Sequence, residues 1–184
     1  MNLIKRFEDY SIRGEYEKSS PDDYYKTKNH EYSNPHKVRV EKCLNYLIDN
    51  YEIGNFLDLS CGDGIVSDYL QKRGFTDFSA TDPYFCDIWS KKFVDKKFYS
   101  LSFEDISING LPNKYDTIIC SYALHLCDKS HLINLLYQLS LSCNNFVVIS
   151  PSKYPQINED FFELVDYKII DRTHIKIYKS TLDI

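Results

Sequence analysis

Gly62 and Gly64 stand two residues apart in FLDLSCGDG, residues 56–64, where an apolar run gives way to a helical pattern. Glycine tolerates the positive φ of a tight turn and lets backbone N–H groups approach a ligand. Here it would present them at a helix N-terminus, whose partial positive charge suits a carboxylate or phosphate. A dinucleotide fingerprint GxGxxG needs glycine at positions 60, 62 and 65, but the chain has Ser60, Gly62 and Ile65, which disfavours pyrophosphate. Asp82 lies 18 residues beyond Gly64, where an acid can take both hydroxyls of a ribose. Loop and acid together describe a site for a nucleoside without pyrophosphate.

A general base working near neutral pH is most often histidine. His125, a few residues past the apolar run 115–121, is the first candidate and His36 the second. Their structural alternatives are a histidine bonded to backbone at a strand exit and a helix first-turn residue. Ser121, Tyr122 and Ser150 close two apolar runs and could position an acceptor or donor group. His125, Cys127 and His131 are the one cluster of metal-ligating types. No CxxC pair accompanies them, and a strand feeding a helix gathers such residues without metal, so no metal site is expected. The six cysteines sit in apolar stretches and read as reduced thiols packed as small hydrophobes.

These groups need elements to hold them. Val40, Cys43, Leu44, Leu47 and Ile48 repeat at helical spacing after Asn34-Pro35 and predict a helix over 35–49. Runs at 55–59, 77–81, 98–103, 115–121 and 145–150 predict strands, several apolar enough to be buried on both faces. Helical patterns lie between them at 64–73 and 130–142, with a weaker one at 87–94, while 107–114 reads as a loop. Strands joined by crossovers require a parallel sheet with right-handed connections. Runs 167–172 and 175–179 are separated by Thr173-His174 alone and predict an antiparallel hairpin. The expected fold class is α/β, a Rossmann-like doubly wound seven-stranded sheet, mostly parallel, with a C-terminal antiparallel hairpin. Residues 1–33, rich in tyrosine, read as an arm and 34–184 as the domain.

The chain has 184 residues, 43% of them apolar and 27% charged, which suits one globular domain. Its net charge of −5 disfavours extended nucleic-acid binding by the isolated chain. No apolar run approaches the length of a membrane helix and the start lacks a signal-peptide core, so a cytoplasmic chain without membrane contact is expected.

In order and spacing these segments resemble a class I S-adenosylmethionine-dependent methyltransferase over about residues 36–180. Residues 56–64 are similar to that family's first motif, Asp-Leu-Gly-Cys-Gly-x-Gly, with Asp58, Gly62 and Gly64 matching and Ser60 in place of the first glycine. The resemblance implies S-adenosylmethionine as cofactor, held by these four residues and, at the ribose, by Asp82 with Pro83 beside it. Phe103-Glu104-Asp105-Ile106 resembles the adenine-flanking segment, which implies cofactor contacts at Glu104, Asp105 and Ile106. Residues 115–126, YDTIICSYALHL, resemble the fourth strand and the motif after it, where donor meets acceptor; this implies Ser121 on the cofactor and Tyr122 on the acceptor.

More narrowly, the chain is similar to a compact branch with Tyr-x-Asn-Pro-His, Phe-Glu-Asp-Ile, Ser-Phe-Ala-Leu-His-Leu and Ser-Pro-His-Lys-Arg-Pro segments. Ser152 and Tyr154 replace the His and Arg of the last of these. Tyr25, Tyr32, Ser150 and Lys153 are the remaining acceptor-side candidates, the tyrosines as a cover that excludes water. Amino-DNA and cytosine C5 methyltransferases are disfavoured, because Cys120-Ser121-Tyr122-Ala123 supplies neither an acid followed by prolines nor a nucleophilic cysteine beside one. Ribose methyltransferases of the Lys-Asp-Lys-Glu type want Asp where Ser121 stands. A small-molecule O or N acceptor is slightly favoured. An RNA or protein acceptor, with room for a partner subunit, and a catalytically idle scaffold stay open.

Overall fold

The structure, a computed structural model, describes residues 36–157 and 159–182. Helix α1 (Lys37–Asn50) comes first, then β1 (Phe56–Leu59), α2 (Ile65–Gln71), β2 (Phe78–Thr81), α3 (Cys86–Lys92), β3 (Lys97–Tyr99), α4 (Phe103–Asn109) and β4 (Tyr115–Ser121). A 3₁₀ turn (Leu124–Leu126) and α5 (Lys129–Ser140) lead to β5 (Cys143–Ser150), β6 (Phe162–Ile170) and β7 (Thr173–Ser180). The strands form one seven-stranded sheet in the order β3-β2-β1-β4-β5-β7-β6, with β7 antiparallel to both neighbours and every other pairing parallel. This is the expected fold class.

Burial explains the arrangement. β1 and β2 are buried at every position, as strands covered on both faces must be. One face packs Val40, Cys43, Leu44 and Leu47 of α1 with Val66, Leu70 and Trp89, against Phe56, Ile119, Val147 and Ile177 of the sheet. The other packs Ile106, Leu135, Leu136 and Leu139 against Leu57, Leu59, Ile118, Phe146 and Val148. All six cysteines are free thiols, four of them buried. No helix among the described residues is long and apolar enough to cross a membrane.

Two elements differ from the sequence expectation. The run 98–103 is not one strand: β3 stops at Tyr99, and Phe103 opens α4, which also replaces the first part of the loop expected over 107–114. Ser102 starts that helix with a capping box, its hydroxyl accepting from the Asp105 N–H while the Asp105 carboxylate accepts from the Ser102 N–H. The hairpin turn is Asp171-Arg172 rather than Thr173-His174. Both turn residues have positive φ, 49° and 62°, the two-residue geometry that matches strand twist. β6 also begins at Phe162, well before the run expected from 167, and elsewhere the observed boundaries lie within a few residues of those expected. The Tyr-rich arm, with Tyr25 and Tyr32, lies outside the described residues.

Candidate functional site

β1 and β4 are neighbours from which the chain proceeds in opposite directions across the sheet, and ligands of open α/β sheets bind at the carboxyl ends of such a pair. Both ends carry a non-glycine residue in the left-handed region, Ser60 with φ 55° after β1 and Tyr122 with φ 54° after β4. That backbone costs about 1–2 kcal/mol per residue and gathers at functional sites. Ser60 donates its N–H to Thr81 Oγ1 (3.4 Å) and Cys61 to the Thr81 carbonyl (3.0 Å), so the loop stays fastened to β2 as it turns. Gly62 and Gly64 continue the turn at φ 53° and 82°. A Cβ on Gly64 would stand 2.9 Å from the rings of Phe93 and Trp89, so α3 closes on the loop only because glycine is there.

Asp82 sits directly beneath this loop. Its Oδ2 accepts the Gly62 N–H (3.0 Å) and its Oδ1 the Tyr84 N–H (2.9 Å), which joins the ends of β1 and β2 through one carboxylate. Burial raises its pKa, partly offset by these N–H donors. Pro83 follows on the surface. Asp58 serves the loop from below: wholly buried, its Oδ2 accepts the Ser67 N–H (3.0 Å) and hydroxyl (2.6 Å), and Ser67 in turn accepts from Trp89 Nε1 (3.3 Å). It fixes α2 and α3 to β1. Burial pushes this carboxyl up to about 7 against the Ser67 hydrogen bonds.

At the end of β4 the Ser121 hydroxyl is buried with no hydrogen-bond partner, alone in this among the side-chain polar atoms of the described residues. A buried orphan hydroxyl is costly unless something occupies it. Next to it, the Tyr122 ring stacks on His36, centroids 4.3 Å apart and planes 15° from parallel. The Tyr122 hydroxyl bonds Thr173 Oγ1 at 2.7 Å. Burial raises the Tyr122 pKa, opposed by Thr173 and by Arg39 on the first turn of α1. His125 is exposed on the 3₁₀ turn.

The adenine-flanking candidates divide. Asp105 is bound into the α4 cap, Ile106 is fully buried in the core, and Glu104 is exposed, 3.8 Å from His131 Nε2. His131 Nδ1 also meets Ser107 Oγ at 3.2 Å, and among the described residues no three ligating side chains gather for a metal. On the far side of β4, the Ser150 hydroxyl donates to the Ser152 carbonyl. Lys153 is exposed, and its carbonyl accepts from the buried Lys176 amine, which lies 3.5 Å from the Pro155 carbonyl as well. Burial lowers the Lys176 pKa.

Thr173, Arg39, Thr81 and Lys176 were not singled out by sequence. Arg39 could have been, standing one turn beyond His36. Thr173 and Lys176 were hidden by the misplaced hairpin turn, which left the facing of β7 undetermined.

The residues fit a nucleoside donor. An acid, a left-handed glycine loop whose N–H groups at 60, 61, 62 and 64 bond within the protein, and an unsatisfied hydroxyl lie at the carboxyl ends of β2, β1 and β4. Comparisons with known proteins agree. An uncharacterized protein of Schizosaccharomyces pombe is 25% identical over 230 aligned positions, covering 93% of this chain and 92% of its own. Magnesium protoporphyrin IX methyltransferase from Synechocystis PCC 6803, solved with bound S-adenosylmethionine, superimposes with a TM-score of 0.60 at 16% identity, covering 97% of this chain and 99% of that one. An rRNA methylase from Escherichia coli gives a TM-score of 0.59 at 16% identity over 78% of this chain, which spans only 64% of that enzyme. Both are similar in fold, that of the S-adenosylmethionine-dependent class. The methyltransferase-domain family model matches residues 29–181, a stretch that contains every strand of the sheet, and the chain therefore belongs to that family.

Proposed function

We propose that the chain transfers a methyl group from S-adenosylmethionine to an oxygen or nitrogen of a small-molecule acceptor. What carries this is the meeting of the Gly62 N–H with the Asp82 carboxylate at the switch point, beside the orphan Ser121 hydroxyl. Asp82 would take the ribose hydroxyls on its remaining lone pairs, the 60–64 loop would line the amino-acid end, and Ser121 would find its partner on the donor. When bound, S-adenosylmethionine supplies an electrophilic methyl on a sulfonium that leaves as a neutral thioether. The protein's share is alignment and exclusion of water.

His36 is the favoured base. Its ring lies flat on Tyr122, which Thr173 pins from the other side, so the imidazole is oriented before an acceptor arrives. His125, the first candidate from sequence, is exposed on the 3₁₀ turn. That exposed position instead favours the alternative, an acceptor group carried on RNA or protein, because a large surface could reach it. The net charge of −5 supports the small acceptor over an unaided nucleic acid.

Calorimetry with S-adenosylmethionine and S-adenosylhomocysteine tests the donor site. Both should bind, and Asp82→Asn should weaken them about 10- to 100-fold, as loss of charge-assisted hydrogen bonds does. Absence of binding by the wild-type chain would leave an idle scaffold. With labelled donor, extracts, RNA and protein then compete as acceptor sources. Once an acceptor is in hand, His36→Gln should remove the acid limb of the pH–rate profile while His125→Ala leaves it in place.

A further inference from the structure

β6 ends the sheet: β7 pairs with one edge, and among the described residues no strand pairs with the other. Its nine residues leave outward N–H and C=O groups, a template for another strand, while the Tyr167 N–H donates to Asp166 Oδ1 (2.8 Å). Four large apolar side chains along it are exposed, Leu164 at 49%, Val165 at 53%, Tyr167 at 43% and Ile169 at 58%. Leu164, Tyr167 and Ile169 lie opposite Tyr178, Lys176 and His174 of β7 and so share the face away from α1. On the α1 face, Asp166 accepts from the hydroxyls of Tyr46 (2.5 Å) and Tyr51 (2.8 Å), and Lys168 lies over the Tyr46 ring, 5.6 Å from its centroid.

We propose that this edge is a homodimer interface, β6 pairing antiparallel with β6 of a second copy about a two-fold axis at Tyr167. An antiparallel ladder alternates hydrogen-bonded and non-hydrogen-bonded pairs, so a perpendicular two-fold axis must pass through a pair, and one residue faces its own copy. Centring on Asp166 opposes two carboxylates and centring on Lys168 opposes two amines. Centring on Val165 sets Leu164 against Asp166 and Glu163 against Tyr167, while Ile169 sets Lys168 against Ile170 and Tyr167 against Asp171. Centring on Tyr167 makes the strand complementary to itself: Tyr167 meets Tyr167, Asp166 meets Lys168 twice, and Val165 meets Ile169. The bulge between Leu164 and Asp166 falls outside the three central pairs. The partner's backbone satisfies the open edge, and two seven-stranded sheets become one.

Sedimentation velocity of the full chain over a micromolar concentration series tests this. A monomer–dimer equilibrium is expected, and Ile169→Lys should raise its dissociation constant about tenfold or more. Tyr167→Cys should form an intermolecular disulfide under mild oxidation, since facing strand residues lie within disulfide reach. Wild type and Leu164→Cys should not cross-link. A chain that stays monomeric throughout overturns the proposal. So does a dimer that survives Ile169→Lys while Tyr167→Cys stays uncrosslinked, because another face would then hold it. Should Ile169→Lys fail to fold by circular dichroism, the cross-link decides alone.

Discussion

Asp58 and Asp82 are two buried carboxylates one strand apart whose protonation should act in opposite directions on stability and on binding. The Asp58 carboxyl is pushed up to about 7 by burial, against about 3.9 in an unfolded chain. The folded protein thus keeps a proton the unfolded one has lost, so this stabilisation is full below about pH 4 and is lost as pH rises through about 7. Denaturant titration should show stability falling from about pH 5 to about pH 8 by on the order of 2–4 kcal/mol, and Asp58→Asn should flatten the dependence. Asp82 is raised by burial as well, and its charged form is the one that would accept from the ribose hydroxyls of the proposed donor. Donor affinity measured by calorimetry should therefore strengthen as rising pH removes the Asp82 proton, while stability declines as Asp58 loses its own. The glycine pair was legible in sequence because a turn with φ of 53° and 82° imposes residue type at fixed spacing. Asp58's use was not: a motif aspartate looks the same whether it faces a ligand or, as here, Ser67.

Among the elements, α4 shows how a short-range signal outweighs propensity. Phe98, Tyr99 and Phe103 favour a strand, yet Ser102 and Asp105 satisfy each other's backbone and start a helix between them. Ser102→Ala should cost about 1 kcal/mol in chemical denaturation, with the loss confined to stability if this helix only supports the sheet. The β6–β7 turn taught the converse. Asp171 and Arg172 take left-handed backbone although neither is glycine, so the sequence offered no turn signal, whereas β-branched Thr173 was free to begin the strand. Strand β4 was legible to the residue, because its β-rich run, buried at five of seven positions, follows polar Asn113-Lys114.

For the molecule as a whole, the two cores lie on opposite faces of the same sheet and share its strands, so neither can open while the other stays packed. The chain's one tryptophan, Trp89, is fully buried beside the glycine loop. Its fluorescence and far-ultraviolet circular dichroism should then follow a single coincident transition in denaturant; separated midpoints would show the cores to be independent. The architecture was legible because buried parallel strands and amphipathic helices leave different periodicities. Contacts between distant segments, such as Tyr122 with Thr173 or Tyr46 with Asp166, leave no local trace. The Lys176 amine is another such contact, and it reaches carbonyl groups alone in the segment after β5. A grip on carbonyls is indifferent to side chains, so Lys153, Tyr154 and Gln156, all exposed, can be exchanged while the path of that loop stays the same. The loop behaves as a replaceable cassette on a fixed peg, through which acceptor preference could drift between relatives while the donor site stays untouched.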